Sequence, residues 1–144
     1  MANRNIQMKK KNGDTWDNLY PVTKITNVLD LAGKIISESG SNSNGYYVRF
    51  ADGTQICWHT KYTTNLIDTP HGNVYYSGSD IWTFPASFKI PPKFFSNVES
   101  AAGYSWAGLG ADAVSTTSAS FAVFSPVKSY ANAFVSLMSI GNWK

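Results

Sequence analysis

From Tyr46 onward, apolar and polar residues alternate with a period of two. In "TQICWHT" (54–60), Ile56, Trp58 and Thr60 alternate with Gln55, Cys57 and His59. Alternation of this kind sends successive side chains to opposite faces of a strand. It predicts strands at Tyr46–Ala51 and Thr54–Thr60 around Asp52-Gly53, a dipeptide favoured in type I′ turns because both central residues need positive φ. Further strands are expected near 73–77, 81–84, 93–100, 104–109, 113–117, 120–125 and 134–140, with Pro85, Pro91-Pro92 and Pro126 marking breaks or edges. Many short strands without interleaved helices point to an antiparallel β-sandwich.

The N-terminal stretch has a different pattern. "RNIQMKKKNGDTWDNLYP" reads as two short strands around a turn at Lys11 to Asp14. In "VTKITNVLDLAGKIISESG", Ile25, Val28, Ala32 and Ile35 recur at steps of three and four, the spacing of a coiled-coil seam. Leu29 and Ile36 widen the stripe, Asp30 and Lys34 can pair at i, i+4, and Gly40 can stop the helix. A helix under four turns long is marginal alone, so its apolar stripe needs a partner. The expected organisation is an attachment hairpin and helical stem at 1–40, a joint at "GSNSNG", and a β-sandwich head at 41–144. The fold class is therefore mostly β, with a short N-terminal hairpin and one helix whose stripe calls for a partner.

Composition narrows the function. Apolar residues make up 43% of the 144, enough for a core, while aromatic and charged residues each make up 15%. The outward faces must then be polar but largely uncharged. A net charge of +3 gives little reason to expect a nucleic-acid partner, and Lys9-Lys10-Lys11 reads as a solvated turn. One cysteine forms no intrachain disulfide. There is no apolar run of membrane-spanning length and no signal-peptide pattern, so neither membrane insertion nor ordinary secretion is expected.

Cys57 and His59 share one strand face and raise the question of a metal or nucleophilic site. Zinc needs three or four protein ligands, and the only other histidine is His71. No base and orienting group mark a catalytic cysteine. The expectation is a packed trio of Cys57, Trp58 and His59, with no catalytic residues, metal or cofactor. The loops at 62–73, 101–112 and 125–133 are richer in promise, because they mix aromatics with small polar groups. An aromatic face stacks on the C–H face of a sugar while polar groups bond its hydroxyls. The candidate carbohydrate-binding residues are Tyr104, Trp106, Asp112, Tyr130 and Asn132.

Two stretches carry a family resemblance. Gln7, Lys9, Trp16, Leu19, Tyr20, Pro21 and Thr23, together with "NGYYVRFADGTQICW" (44–58), resemble tail-fibre and receptor-binding proteins of phages and prophages of Gram-positive bacteria. Phe84, Phe88, Pro92, Val114, Phe121, Val135, Ile140 and Gly141 resemble the H-type lectin-like sandwich of phage fibre tips, with Leu137 where that motif has tryptophan. The resemblance implies a homotrimer, with Ile25, Val28, Ala32 and Ile35 as the seam of its trimerising helix, in a virion tail, made in the host cytoplasm and released by lysis, beside other tail or baseplate proteins. It implies a non-enzymatic head that recognises a host surface polysaccharide or teichoic acid, and it carries no ligand residues over. The alternatives are a tail depolymerase, needing two carboxylates from Asp68, Asp80, Glu99 and Asp112 in one groove, and a purely structural tail component.

Overall fold

The computed structural model describes residues 8–12, 15–19, 35–99, 103–129 and 132–144, with backbone alone at 8–12, 15–19 and 110–112. Every regular element among them is a strand. β1 (Met8–Asn12) pairs antiparallel with β2 (Thr15–Leu19), Asn12 opposite Thr15. This is the hairpin that the sequence predicts around Lys11 to Asp14.

Two five-stranded antiparallel sheets follow. The first runs in the order β3 (Ile36–Asn42), β4 (Gly45–Phe50), β5 (Thr54–Tyr62), β12 (Phe134–Asn142), β9 (Lys93–Glu99). The second contains β6 (Thr69–His71), β7 (Val74–Tyr76), β8 (Asp80–Thr83), β10 (Trp106–Val114) and β11 (Ser118–Ser125). β10 pairs with one edge of β11. The other edge of β11 is shared, β8 lying along Ser118–Phe121 and β7 along Phe124–Ser125.

One core joins the sheets. Cys57, Val135 and Leu137 enter it from the first sheet, Trp82, Ala119, Phe121 and Val123 from the second, and Ile67, Phe84 and Phe88 from connections. Strict alternation in β12 drives this: Val135, Leu137 and Ser139 are buried, while Phe134, Ser136 and Met138 are exposed. Trp82 packs edge-on to Phe84, and Phe84 edge-on to Phe88, at centroid distances of 5.0 and 5.1 Å. Polar links cross between the sheets as well. Buried Asp80 accepts from the Thr64 N–H at 3.0 Å and its hydroxyl at 2.8 Å, with Lys61 Nζ at 3.3 Å.

Three expectations change. Residues Ile36 to Gly40 form strand β3 rather than the end of a helix. "SESG" favours helix weakly, and here Glu38, Ser39 and Gly40 each gain a β4 neighbour, with Ser37 at a register shift. Glu38 lies opposite Arg49 and pairs with it at 2.8 Å, and Tyr47 donates its hydroxyl to Glu38 at 2.6 Å. Those two bonds hold the Glu38 carboxyl below its usual range. Ile35 sits at a bend, 56% exposed, its carbonyl accepting the Ala51 N–H. Ile25, Val28 and Ala32, and with them the stem proper, lie outside the described residues.

The Asp52-Gly53 turn differs too. Three residues, Ala51 to Gly53, separate the strands; the Gly53 N–H bonds the Phe50 carbonyl at 3.1 Å and Gly53 takes a φ of 100°. This is a three-residue hairpin loop ending in a glycine of positive φ, not a two-residue type I′ turn. Lastly, the strands expected at 104–109 and 113–117 are one strand, β10, interrupted by a register shift between Leu109 and Val114.

"GSNSNG" is the hairpin turn between β3 and β4, so β3 passes through Gly40 without a break. Gly45 is required there. Its φ is 117°, and a Cβ would lie 2.3 Å from the Trp58 carbonyl oxygen and 2.8 Å from the His59 Cβ. Gly45→Ala should therefore cost about 2–4 kcal/mol in urea unfolding, combining backbone strain with overpacking. An unchanged midpoint would show that β4 and β5 are not held this close.

Candidate functional site

Alternation fixes which side of the second sheet meets solvent. In β11, Ala119, Phe121 and Val123 face the core, so Ser118, Ser120, Ala122 and Phe124 face outward. Register then assembles neighbours from distant parts of the chain. Trp106 on β10 lies directly opposite Phe124, and Phe124 directly opposite Tyr76 on β7. The three rings run nearly parallel, at 6.2 Å and 17° for Trp106–Phe124, and 6.0 Å and 19° for Phe124–Tyr76. His71 on β6 leans against two of these rings, 5.2 Å from that of Tyr76 and 6.2 Å from that of Phe124, tilted to both. Cross-strand aromatic pairs of this kind stabilise a sheet by about 0.2–1 kcal/mol each, but in an exposed row they also offer a contact surface.

Beside the aromatic row lies a groove of about 340 Å³. His71, Tyr76 and Phe124 form its aromatic wall; Gly108 and Ala122 keep it open; Ser79 and Ser120 bring hydroxyls. Gly108 has a reason to be glycine, since a Cβ there would meet the Phe124 ring at 3.1 Å. Small residues at directly opposed positions, Gly108 and Ala122, thus let the ring lean over the neighbouring strand. The groove's far side is the irregular part of β10. Four residues, 110–113, stand where β11 has only Ser120, so the ladder is interrupted by a bulge.

The candidates from sequence fall differently around this groove. Trp106, 47% exposed, heads the aromatic row, and Tyr104 beside it is 91% exposed. Asp112 lies in the bulge by its backbone position, and Ala113 next to it lines the groove. Tyr130 is outside the described residues. Asn132 has another job: its side-chain amide donates to the Thr63 carbonyl at 2.5 Å, while the Thr63 hydroxyl accepts from the Ala133 N–H. It pins one loop to another and does not line the groove. The sequence reading missed His71, Tyr76, Phe124 and the glycine beneath them. His71 and Tyr76 lie at the edge of one aromatic loop, but nothing local signals that they meet Phe124.

Of the trio, Cys57 is packed in the core, whereas Trp58 on the opposite face is 42% exposed and stacks on Tyr46. Cys57 is fully buried, accepts a bond from Gln55 Nε2 at 3.3 Å, and contacts the Ala86 carbonyl at 3.8 Å. Burial pushes its thiol above the usual value, so it is a poor thiolate. Burial likewise lowers His59, with Lys61 adding to the effect. Among the described residues no three His, Cys, Asp or Glu side chains gather as a metal site. Asp80, one of the carboxylates weighed for catalysis, is committed to Lys61 and Thr64 in the interior. No helix among the described residues is long and apolar enough to cross a membrane.

No protein family, curated protein or solved structure matches the chain.

Cys57 gives a direct check on this packing. Cys57→Ser should lower stability by about 1–2 kcal/mol, and a thiol-specific disulfide reagent should label wild type only after urea unfolding. Rapid labelling of the folded chain would mean an accessible thiolate.

Proposed function

We propose that this chain is a non-enzymatic glycan-binding head, of the kind that phage tail fibres use to recognise a host surface, and that the groove beside Trp106, Phe124, Tyr76 and His71 is its receptor site. The observation that carries the reading is the aromatic row standing along a groove with hydroxyls in it. Pyranose rings present C–H faces with slight positive charge, which pack against the negative faces of aromatic rings, and hydroxyls that bond to polar neighbours. A groove lined by aromatic rings and hydroxyls, with no charged side chain among its described lining residues, suits a neutral or weakly charged polymer. The likeness of residues 44–58 to phage receptor-binding proteins of Gram-positive hosts supports placing that polymer in a cell wall, as a polysaccharide or teichoic acid.

Single sites of this type bind weakly. A repetitive polymer compensates when several copies of the head sit on one particle, as the homotrimer implied by the resemblance would supply. Linking sites raises avidity by about 10²–10⁴ with no new contact.

Purified wall polysaccharides and teichoic acids from Gram-positive cells should quench the intrinsic tryptophan fluorescence, and Trp106→Ala and Tyr76→Ala should each weaken binding about tenfold, one stacking contact being worth roughly 1.4 kcal/mol. Melting temperatures should move little, because Trp106 is about half exposed and Tyr76, though half-buried, lies outside the core. Binding by Trp106→Ala at the wild-type level would remove the groove from the account. Release of soluble sugars from the same polymers would replace it with a depolymerase.

A further inference from the structure

The outward face of the first sheet is as apolar as the aromatic groove on the other side, and its pattern is self-complementary. Over the length of β9, strand register sorts its outward residues into four rows that run across the strands, and Asn142 with Thr54 lies beyond them. Lys93, Ile140, Ile56 and Val48 form the first row; Phe95, Met138, Trp58 and Tyr46 form the second. Asn97, Ser136 and Thr60 form the third; Glu99, Phe134 and Tyr62 form the fourth. The second row is a ridge of four large side chains, each between 38% and 54% exposed, with Tyr46 and Trp58 stacked at 5.7 Å. The third row is a trough, and a depression of about 260 Å³ opens there between Phe95, Met138, Asn97 and Ser136. Exposed apolar surface on this scale marks an interaction site.

We infer that this face binds a second copy of the same face across a two-fold axis. An axis lying in the face, perpendicular to the strands and midway along β9, exchanges the first row with the fourth and the second with the third. Each copy's ridge of Phe95, Met138 and Trp58 then enters the other's trough of Asn97, Ser136 and Thr60. The charges fit the same operation. Among the described outward positions of this sheet only Lys93 and Glu99 are charged, at opposite ends of β9, and neither joins an intrachain ion pair. The axis sets Lys93 of each copy against Glu99 of the other, forming two reciprocal pairs. A two-fold contact must be self-complementary in this way, and sheets that pack face to face keep their strands nearly aligned, as this pairing needs. A partner of different sequence would have no cause to match a ridge and a trough of equal pitch, or opposite charges at mirrored ends.

The contact does not depend on the glycan reading or on any association through residues 22–35. With the face alone the particle is a dimer; with a three-fold stem as well, it is a hexamer of two-fold and three-fold symmetry. The full chain, analysed by sedimentation and light scattering up to about 100 µM, should show an even multiple of the chain mass. Met138→Lys should halve that number or weaken the two-fold association at least tenfold. Lys93→Glu alone and Glu99→Lys alone should each weaken it about tenfold, since each creates two like-charge contacts. The double variant Lys93→Glu, Glu99→Lys should restore association to within about threefold of wild type, which a general loss of folding could not produce. A monomer at the highest concentration, an odd multiple, or an assembly indifferent to Met138→Lys and to both charge reversals would overturn the inference. Affinity for a short glycan fragment, too small to span two grooves, should be the same for Met138→Lys and wild type, so failure here is separable from failure of the groove.

Discussion

Trp82 sets the spacing on which the rest of the molecule depends. Its ring is buried on β8, edge-on to Phe84 and 6.2 Å from Phe94, and its indole N–H donates to the Asn44 carbonyl at 2.8 Å. That carbonyl belongs to the β3–β4 turn of the other sheet, so one side chain fills the core and also ties the two sheets together. A buried indole N–H left without a partner would cost about 1–3 kcal/mol, which gives the turn a reason to sit where it does. Gly45 follows from the same constraint. With Asn44 held over Trp82, the chain must turn into β4 against the Trp58 carbonyl, where no Cβ fits.

Once the sheets are fixed in this way, alternation decides what the surface is made of. Each strand gives half its residues to the shared core and half to solvent. In a chain this rich in aromatics and poor in charge, the outward half stays aromatic. The second sheet uses that surplus as a row of rings beside a groove, opened by Gly108 and Ala122. The first sheet uses it as alternating ridge and trough. Both are permitted because the core itself is small-boned in places: Cys57, Ala119 and Ala133 fill it without adding bulk, leaving large residues for the outside.

Much of this was legible in the sequence. Alternation located β4, β5, β9, β11 and β12 to within a few residues, because each has one face in the core. The failures have physical causes. Residues 36–40 were drawn into a helical pattern by the apolar spacing before them, although Ser37, Ser39 and Gly40 carry no apolar periodicity of their own; the hairpin partner decides their conformation. β6 is three residues long and contains Pro70, so it looks like loop until its pairing with β7 is known. Trp106 was visible as an unusual aromatic in a small-residue stretch. Its neighbours were not, since Tyr76 and Phe124 lie far from it along the chain and meet it only through the register of two strand pairings.

The two apolar faces lie on opposite sides of one core, and this arrangement has a consequence for function. A ligand groove placed on the association face would be closed by assembly, and repeated sites would then be lost rather than gained. Here the sheet with the ridge and trough can meet its copy while the aromatic groove on the other sheet remains open to solvent. The two-fold operation turns the grooves to opposite outer surfaces of the pair, so that each can engage a different stretch of polymer. Linked engagement of that kind depends on whether the polymer can span the sites. Flexible surface polysaccharides can do so, whereas a small soluble sugar gains nothing from the second groove. Given the proposed two-fold contact, the back-to-back placement of the two faces would favour a large, repetitive ligand over a small one.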